Sequence, residues 1–501
     1  MSQLPDYVAS AKPNPFENRA PWLTTTAATY AGIMLWFVFW MGVPSGGAGV
    51  AGGVLSQGLL FALVSFVIAA FICYFCFYHV PGMLGMKTGL PLYIVGTSTY
   101  GVKGGFILPG FLMGCLQFGW LAVNGYGAGG GLGSIIESFI RGETVPFDKV
   151  NWFLHVGIGV VWAIIAAFIG LKGIKYVGKV ASYMPIIPIV ALIVLFFLAM
   201  GGVFQFDPNV AVTEHTAAVA ADNAAAVAAG DMKAEDVKPL ETVGFFGKGS
   251  LGSLAGQLGV LFLICGYVVG FFATAGAAGC DFGSNNKDRN AVIMGGLVGI
   301  AGATIFTGAV ALIAVAGAQA SGTVSFSELN PYATLTKVMG SSLGGIFVLL
   351  LAIAAFPSAC FSSLIAANSF KTTLPKTDPL ISCGIGTAVS CLLIVTTLAG
   401  MLGPMFGFIG ASFGPVCGAM MADYLLSGKK WAGPRAGFNP AGWISWGVGF
   451  LVGGLPLLGI LDTVIPCPPV AAFVVGFGLY WILARAGLES KKLDMPQRID
   501  L

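Results

Sequence analysis

The chain is a succession of apolar blocks about twenty residues long, divided by short polar stretches. At 1.5 Å per residue, a helix needs about 20 residues to cross the 30 Å hydrocarbon layer of a bilayer. Inside that layer no water satisfies backbone amides and carbonyls, so each block must pair its own, and a helix does so within one segment. Composition agrees. Of 501 residues, 56% are hydrophobic and 9% charged, against roughly 25% charged in a soluble domain. The 74 glycines and 26 prolines would weaken helices in water, but membrane helices accept both and use glycine for close packing. The expected fold is an all-α membrane protein whose surroundings are lipid. A net charge of +3 gives no basic surface for nucleic acid.

Twelve spans are expected, near 24–43, 54–78, 104–133, 151–170, 180–200, 255–280, 291–318, 336–368, 380–400, 402–426, 441–461 and 466–486. Lysine and arginine test this map through the positive-inside rule. With the N-terminus in the cytoplasm, cytoplasmic segments hold 18 of the 24 basic residues, leaving six outside. An odd number of spans would scramble that ratio, so both termini are expected to be cytoplasmic, in a cell membrane. The first twenty residues are polar and proline-containing, without the apolar core of a signal peptide.

The expected organisation is a tail at 1–23, five spans in 24–200, an acidic alanine-rich external loop at 201–254, five spans in 255–426, two more in 427–486 and a tail at 487–501. The loop composition reads as a flexible decoration with room for a short surface helix. Both five-span groups open on a glycine-interrupted segment, Gly42 to Gly47 in the first and Gly266, Gly270, Gly276 and Gly279 in the second. Paired interruptions of this kind mark transporter sites, although ordinary glycine packing explains either one alone.

From 85 to 105 the sequence reads GMKTGLPLYIVGTSTYGVKGG, followed by GCLQFGW at 114–120, GFFATAGAAGCDF at 270–282 and MADYLLSGKK at 421–430. These ordered motifs resemble the cytosine/purine permease family, also called the nucleobase–cation symporter-1 family. The resemblance implies two inverted five-helix repeats around a central site, importing a nucleobase or a related planar heterocycle by cation symport. A hydantoin, allantoin, a vitamin or another amine stays open as cargo, as does proton coupling.

Gln117, Trp120 and Asn124 are spaced three and four residues apart and so share one helical face. An indole flanked by two amides suits a flat nitrogen heterocycle: the ring stacks, and each amide offers a donor and an acceptor. Tryptophan also serves packing and interfacial anchoring in membranes. The resemblance implies that Trp120 stacks on the substrate and that Phe272 closes the other side. It places the Phe271 backbone near the ligand if the helix unwinds at Gly270, and puts Ser363 where some members carry a binding asparagine, with Asn368 as a substitute. It further implies sodium as the coupling ion, held by carbonyls of Gly32, Trp36 and Ala354 and by the Ser358 hydroxyl, Pro357 standing where relatives have a second hydroxyl. Asp281 is expected to ion-pair with Lys287 and Arg289.

Channel and enzyme readings fit poorly. No span carries a repeated central charge, and His79, His155 and His215 are scattered without a nucleophile or metal-binding spacing. Cys73 and Cys76 lie inside an apolar span, where small packing residues suit the place better than a redox pair. The sequence does not address oligomeric state.

Overall fold

A computed structural model describes residues 4–23, 50–145, 147–172, 186–230, 232–237, 240, 250–324, 331–374, 376–458 and 465–495. Its principal helices are α1 Leu59–Thr88, α2 Thr97–Arg141, α3 Trp152–Leu171, α4 Ile186–Val203, α5 Pro208–Ala229, α6 Leu254–Ala277, α7 Arg289–Ala320, α8 Ser341–Phe370, α9 Pro379–Val395, α10 Leu402–Leu426, α11 Pro440–Gly454 and α12 Pro468–Arg485. Among the described residues, nine of them are long and apolar enough to cross a membrane. The chain is an all-α integral membrane protein. The first expected span, with Gly32 and Trp36, lies outside the described residues; each of the other eleven falls on a helix.

Local chemistry sets the helix starts. Asn151, Ser253, Asp288 and Asp378 accept backbone amides of the first turns of α3, α6, α7 and α9, groups that have no partner inside the helix. Proline occupies the first turn of α9, α11 and α12, where its missing N–H costs nothing. In the packed bundle, α2 lies on α3, α8 and α9, while α6 lies on α1 and α10.

The motifs converge at one end of this bundle. Ser98 and Thr99 donate to Asp423 at 2.6 and 3.1 Å, joining the start of α2 to the end of α10. Arg435, fully buried, pairs with Asp423 at 3.0 Å and Glu489 at 2.6 Å and donates to the Ser98 carbonyl. Gly101 adopts φ 80°, and a Cβ there would strike the Gly437 carbonyl; only glycine fits both demands. Asp281 makes no ion pair with Lys287 or Arg289, contrary to expectation. It accepts the Leu92 amide at 3.1 Å, at the N-terminus of a short helix that favours negative charge. The chain's first segment crosses this same end, with Asn14 donating to Ser284 and Asn285 and Arg19 donating to the Met86 carbonyl.

At the opposite end the acidic loop is better ordered than its composition suggested, because 22 of its residues form α5. Alanine is the strongest helix former, and Asp207 with Pro208 supplies a cap and a preset first turn. The helix is also docked. His215 Nδ1 accepts the Gly52 amide at 3.0 Å, and Glu214 accepts the Gln319 amide at 2.8 Å.

Candidate functional site

Trp120 sits in the middle of α2 and is 5% exposed. Its indole N–H donates to Thr274 Oγ1 on α6 at 2.9 Å. Two rings cover it. Phe406 of α10 stacks on its face, with centroids 5.4 Å apart and planes at 28°, and Phe271 of α6 meets it edge-on at 4.7 Å. Phe271 and Phe406 also touch, at 5.7 Å, and Tyr267 of α6 backs Phe406 at 6.1 Å. The result is an aromatic cluster at the crossing of α2, α6 and α10. A planar ligand between two rings separates them by about 7 Å, twice the van der Waals contact. Phe406 therefore leaves no room for a planar ligand between itself and Trp120.

The α6 ring on Trp120 is Phe271, while Phe272 packs behind it at 5.2 Å and is 1% exposed. The unwinding at Gly270 that a Phe271 backbone contact would require is absent: α6 runs as one helix through this position. Gly270 is used for close approach instead, since a Cβ there would lie 2.7 Å from the Phe406 carbonyl oxygen. With its backbone committed to the helix, Phe271 faces the cluster through its side chain. Phe406 went unnoticed in the sequence, where it is one of 38 phenylalanines without a motif.

The two amides beside Trp120 differ sharply. Gln117 is buried, and among the described residues its nitrogen has only the Met113 sulfur as partner, at 3.5 Å. A thioether is a weak acceptor, so this amide has unused capacity. Asn124, in contrast, accepts the Trp162 indole N–H of α3 at 2.9 Å and donates to the Ala355 carbonyl at 3.0 Å and Ser358 Oγ at 2.9 Å.

Those α8 oxygens lie on either side of Pro357, which has no N–H to give the Ile353 carbonyl four residues back and whose ring crowds that turn. The chain makes a turn at Ala355, where Ser358 Oγ donates to the Ala355 carbonyl at 2.6 Å. Ala354 is the last residue before the turn. Ser363 is placed elsewhere. Five residues from Ser358, it is turned about 140° around the helix, packs against Gly170 of α3, and has no hydrogen-bond partner among the described residues. Asn368 is exposed.

No group of three His, Cys, Asp or Glu side chains that could hold a metal occurs among the described residues. The histidines are apart: His79 contacts Tyr74, His155 the Tyr126 carbonyl, and His215 the Gly52 amide. Burial lowers the His215 pKa from its ordinary 6.5. It also pushes the Asp281 carboxyl up to about 6, against the pull of the Leu92 N–H. A cavity of about 690 Å³ lies between the ends of α2 and α8, lined among others by Ser138, Glu143, Ser341 and Leu349, and does not reach Trp120.

The fold is similar to that of solved structures with the LeuT fold. The chain is similar to Mhp1, a nucleobase-cation-symport-1 family transporter, in a closed conformation with bromovinylhydantoin bound: TM-score 0.61, 14% identity, covering 95% of each chain. It is also similar to the inward-facing conformation of Mhp1, with the same score and identity, over 96% of this chain and 95% of that one. A Na+-coupled sialic acid symporter in a substrate-bound outward-open state matches at TM-score 0.52 and 12% identity, over 97% of this chain and 93% of that one. No family model and no curated protein matches the chain.

Proposed function

We propose that this protein is a secondary active transporter that imports a nucleobase or related planar nitrogen heterocycle by alternating access, coupled to sodium. The observation that carries the substrate class is the pairing of a buried tryptophan with an underused amide one turn away. Stacking on Trp120 supplies affinity that tolerates different rings, and Gln117 reads ring nitrogens and carbonyls. Phe271 bounds the site and Phe406 yields its place on the indole face. The bromovinylhydantoin bound in Mhp1 is compatible with this class of cargo and keeps hydantoins beside nucleobases as the second reading.

The same reading assigns two inverted repeats to 24–200 and 255–426, twelve spans in all, and both termini to the cytoplasm. Sodium is assigned to carbonyls of Gly32, Trp36 and Ala354 and to Ser358 Oγ. The test is a thermal-shift screen of purified protein against purines, pyrimidines, hydantoins and vitamins, followed by uptake in proteoliposomes under a sodium gradient. Stabilisation and competition confined to planar nitrogen heterocycles are expected. Stabilisation by aliphatic amines or carboxylates alone would overturn the substrate class, and uptake driven only by a proton gradient would overturn sodium.

A further inference from the structure

Asn124 joins the helix carrying Trp120 to the break in α8. It is 1% exposed, so its hydrogen bonds are made in a dry interior where an unmatched donor is costly. The Trp162 indole N–H can only donate, and it lies 2.9 Å from Asn124 Oδ1. That contact dictates which way the amide faces. Both hydrogens of Nδ2 then fall on α8, one on the Ala355 carbonyl and one on Ser358 Oγ. Ser358 directs its own proton to Ala355, so its oxygen meets Asn124 purely as an acceptor.

A cation and an amide N–H make opposing claims on such an oxygen. Each needs its lone pairs, and the positive end of the N–H dipole stands where an ion's charge would be concentrated. A cation bound through Ser358 Oγ weakens that oxygen as an acceptor and repels the amide. Asn124 is four residues from Trp120 on the same helical face, so the donors that α8 gives up become available beside the stacking ring.

We infer that Asn124 is the coupling residue of this transporter: α8 holds its amide until a cation takes the Ser358 oxygen, which releases the amide to the substrate on Trp120. This rests on the transport reading above. Because coupling between two bound species is reciprocal, the substrate that captures Asn124 in turn strengthens the cation at Ser358. Asn124 thus competes with the ion when substrate is absent and links the two when it is present.

The decisive measurement needs no substrate. Purified full-length protein is titrated with sodium chloride against choline chloride at constant ionic strength, reading melting temperature and tryptophan fluorescence. Removing the competing donors in Asn124→Ala should lower the half-saturating sodium concentration about tenfold, the scale of one to two net hydrogen bonds. Asn124→Leu keeps the side-chain volume and carries the same prediction should the alanine variant fail to fold. Trp162→Phe, which frees the amide to turn, should shift sodium binding in the same direction. Ser358→Ala should lose the sodium response. An unchanged or raised half-saturation in a folded Asn124 variant overturns the inference, as does the absence of any sodium response in wild type and variants alike. With a heterocycle found in the screen, wild-type binding should strengthen in sodium and Asn124→Ala binding should not distinguish sodium from choline. A screen without a heterocycle ligand counts against the proposed cargo, and the sodium titration still decides the role of Asn124.

Discussion

Trp120 and Phe272 are both nearly inaccessible, 5% and 1% exposed, yet their surroundings give them different work. Trp120 has one edge tied to Thr274 and one face covered by a ring from another helix. Phe272 stands behind Phe271 among the fully buried side chains. Base–aromatic stacks are worth about 1–3 kcal/mol each, so Trp120→Ala should weaken heterocycle binding roughly 5- to 150-fold with little loss of sodium response. Phe272→Ala removes a packed core ring, a change that costs about 3–5 kcal/mol in soluble proteins. It should lower the melting temperature before it alters selectivity. Isothermal titration alongside thermal denaturation separates the two. Equal loss of affinity in both, without destabilisation of Phe272→Ala, would restore Phe272 as the second stacking ring.

Among the elements, α5 shows how a segment with little hydrophobic patterning acquires a fixed position. Its alanines and Asp207 cap form the helix, but its docking uses the Gly52 amide on His215 and the Gln319 amide on Glu214. Burial lowers the pKa of His215, so the docked form resists a proton that the released form accepts at the ordinary value near 6.5. Docking is therefore at full strength above pH 6.5 and weakens as the pH falls through that value towards the depressed one. Protonated Nδ1 also becomes a donor and can no longer accept Gly52 N–H. A spin label at Thr213→Cys, an exposed position, should gain mobility between pH 7 and pH 5. The gain should vanish in a His215→Gln background. An identical pH response in both backgrounds would remove His215 from the docking.

For the molecule as a whole, the folded bundle puts α5 and the cluster of Ser98, Asp423 and Arg435 at opposite ends, and the topology proposed from the charge map makes the cluster end cytoplasmic and α5 external. Ala224 is exposed on α5. Ala224→Cys should react with an impermeant thiol reagent in intact cells, whereas the unmodified protein serves as the background. Reaction only after lysis would invert the map.

Much of this architecture was legible in one dimension because its causes are local. Span length follows from bilayer thickness, and the caps at Asn151, Ser253 and Asp378, found only in the folded chain, are local as well. The shared face of Gln117, Trp120 and Asn124 follows from helical period alone. What the sequence could not assign was the partner of each group. Phe406 reaches Trp120 across 286 positions of chain, Asp423 meets Ser98 across 325, and Asn124 meets Ser358 across 234. Two amides on one face therefore look equivalent until packing places the Ala355 carbonyl and the Ser358 hydroxyl of α8 beside Asn124, while Gln117 keeps the Met113 thioether one turn back on its own helix. Residue types and spacing determined which chemistry the chain carries and which helix face presents it. The tertiary structure decided which donors are already satisfied and which remain for a ligand, because a hydrogen bond depends on a distance of about 3 Å that only folding sets.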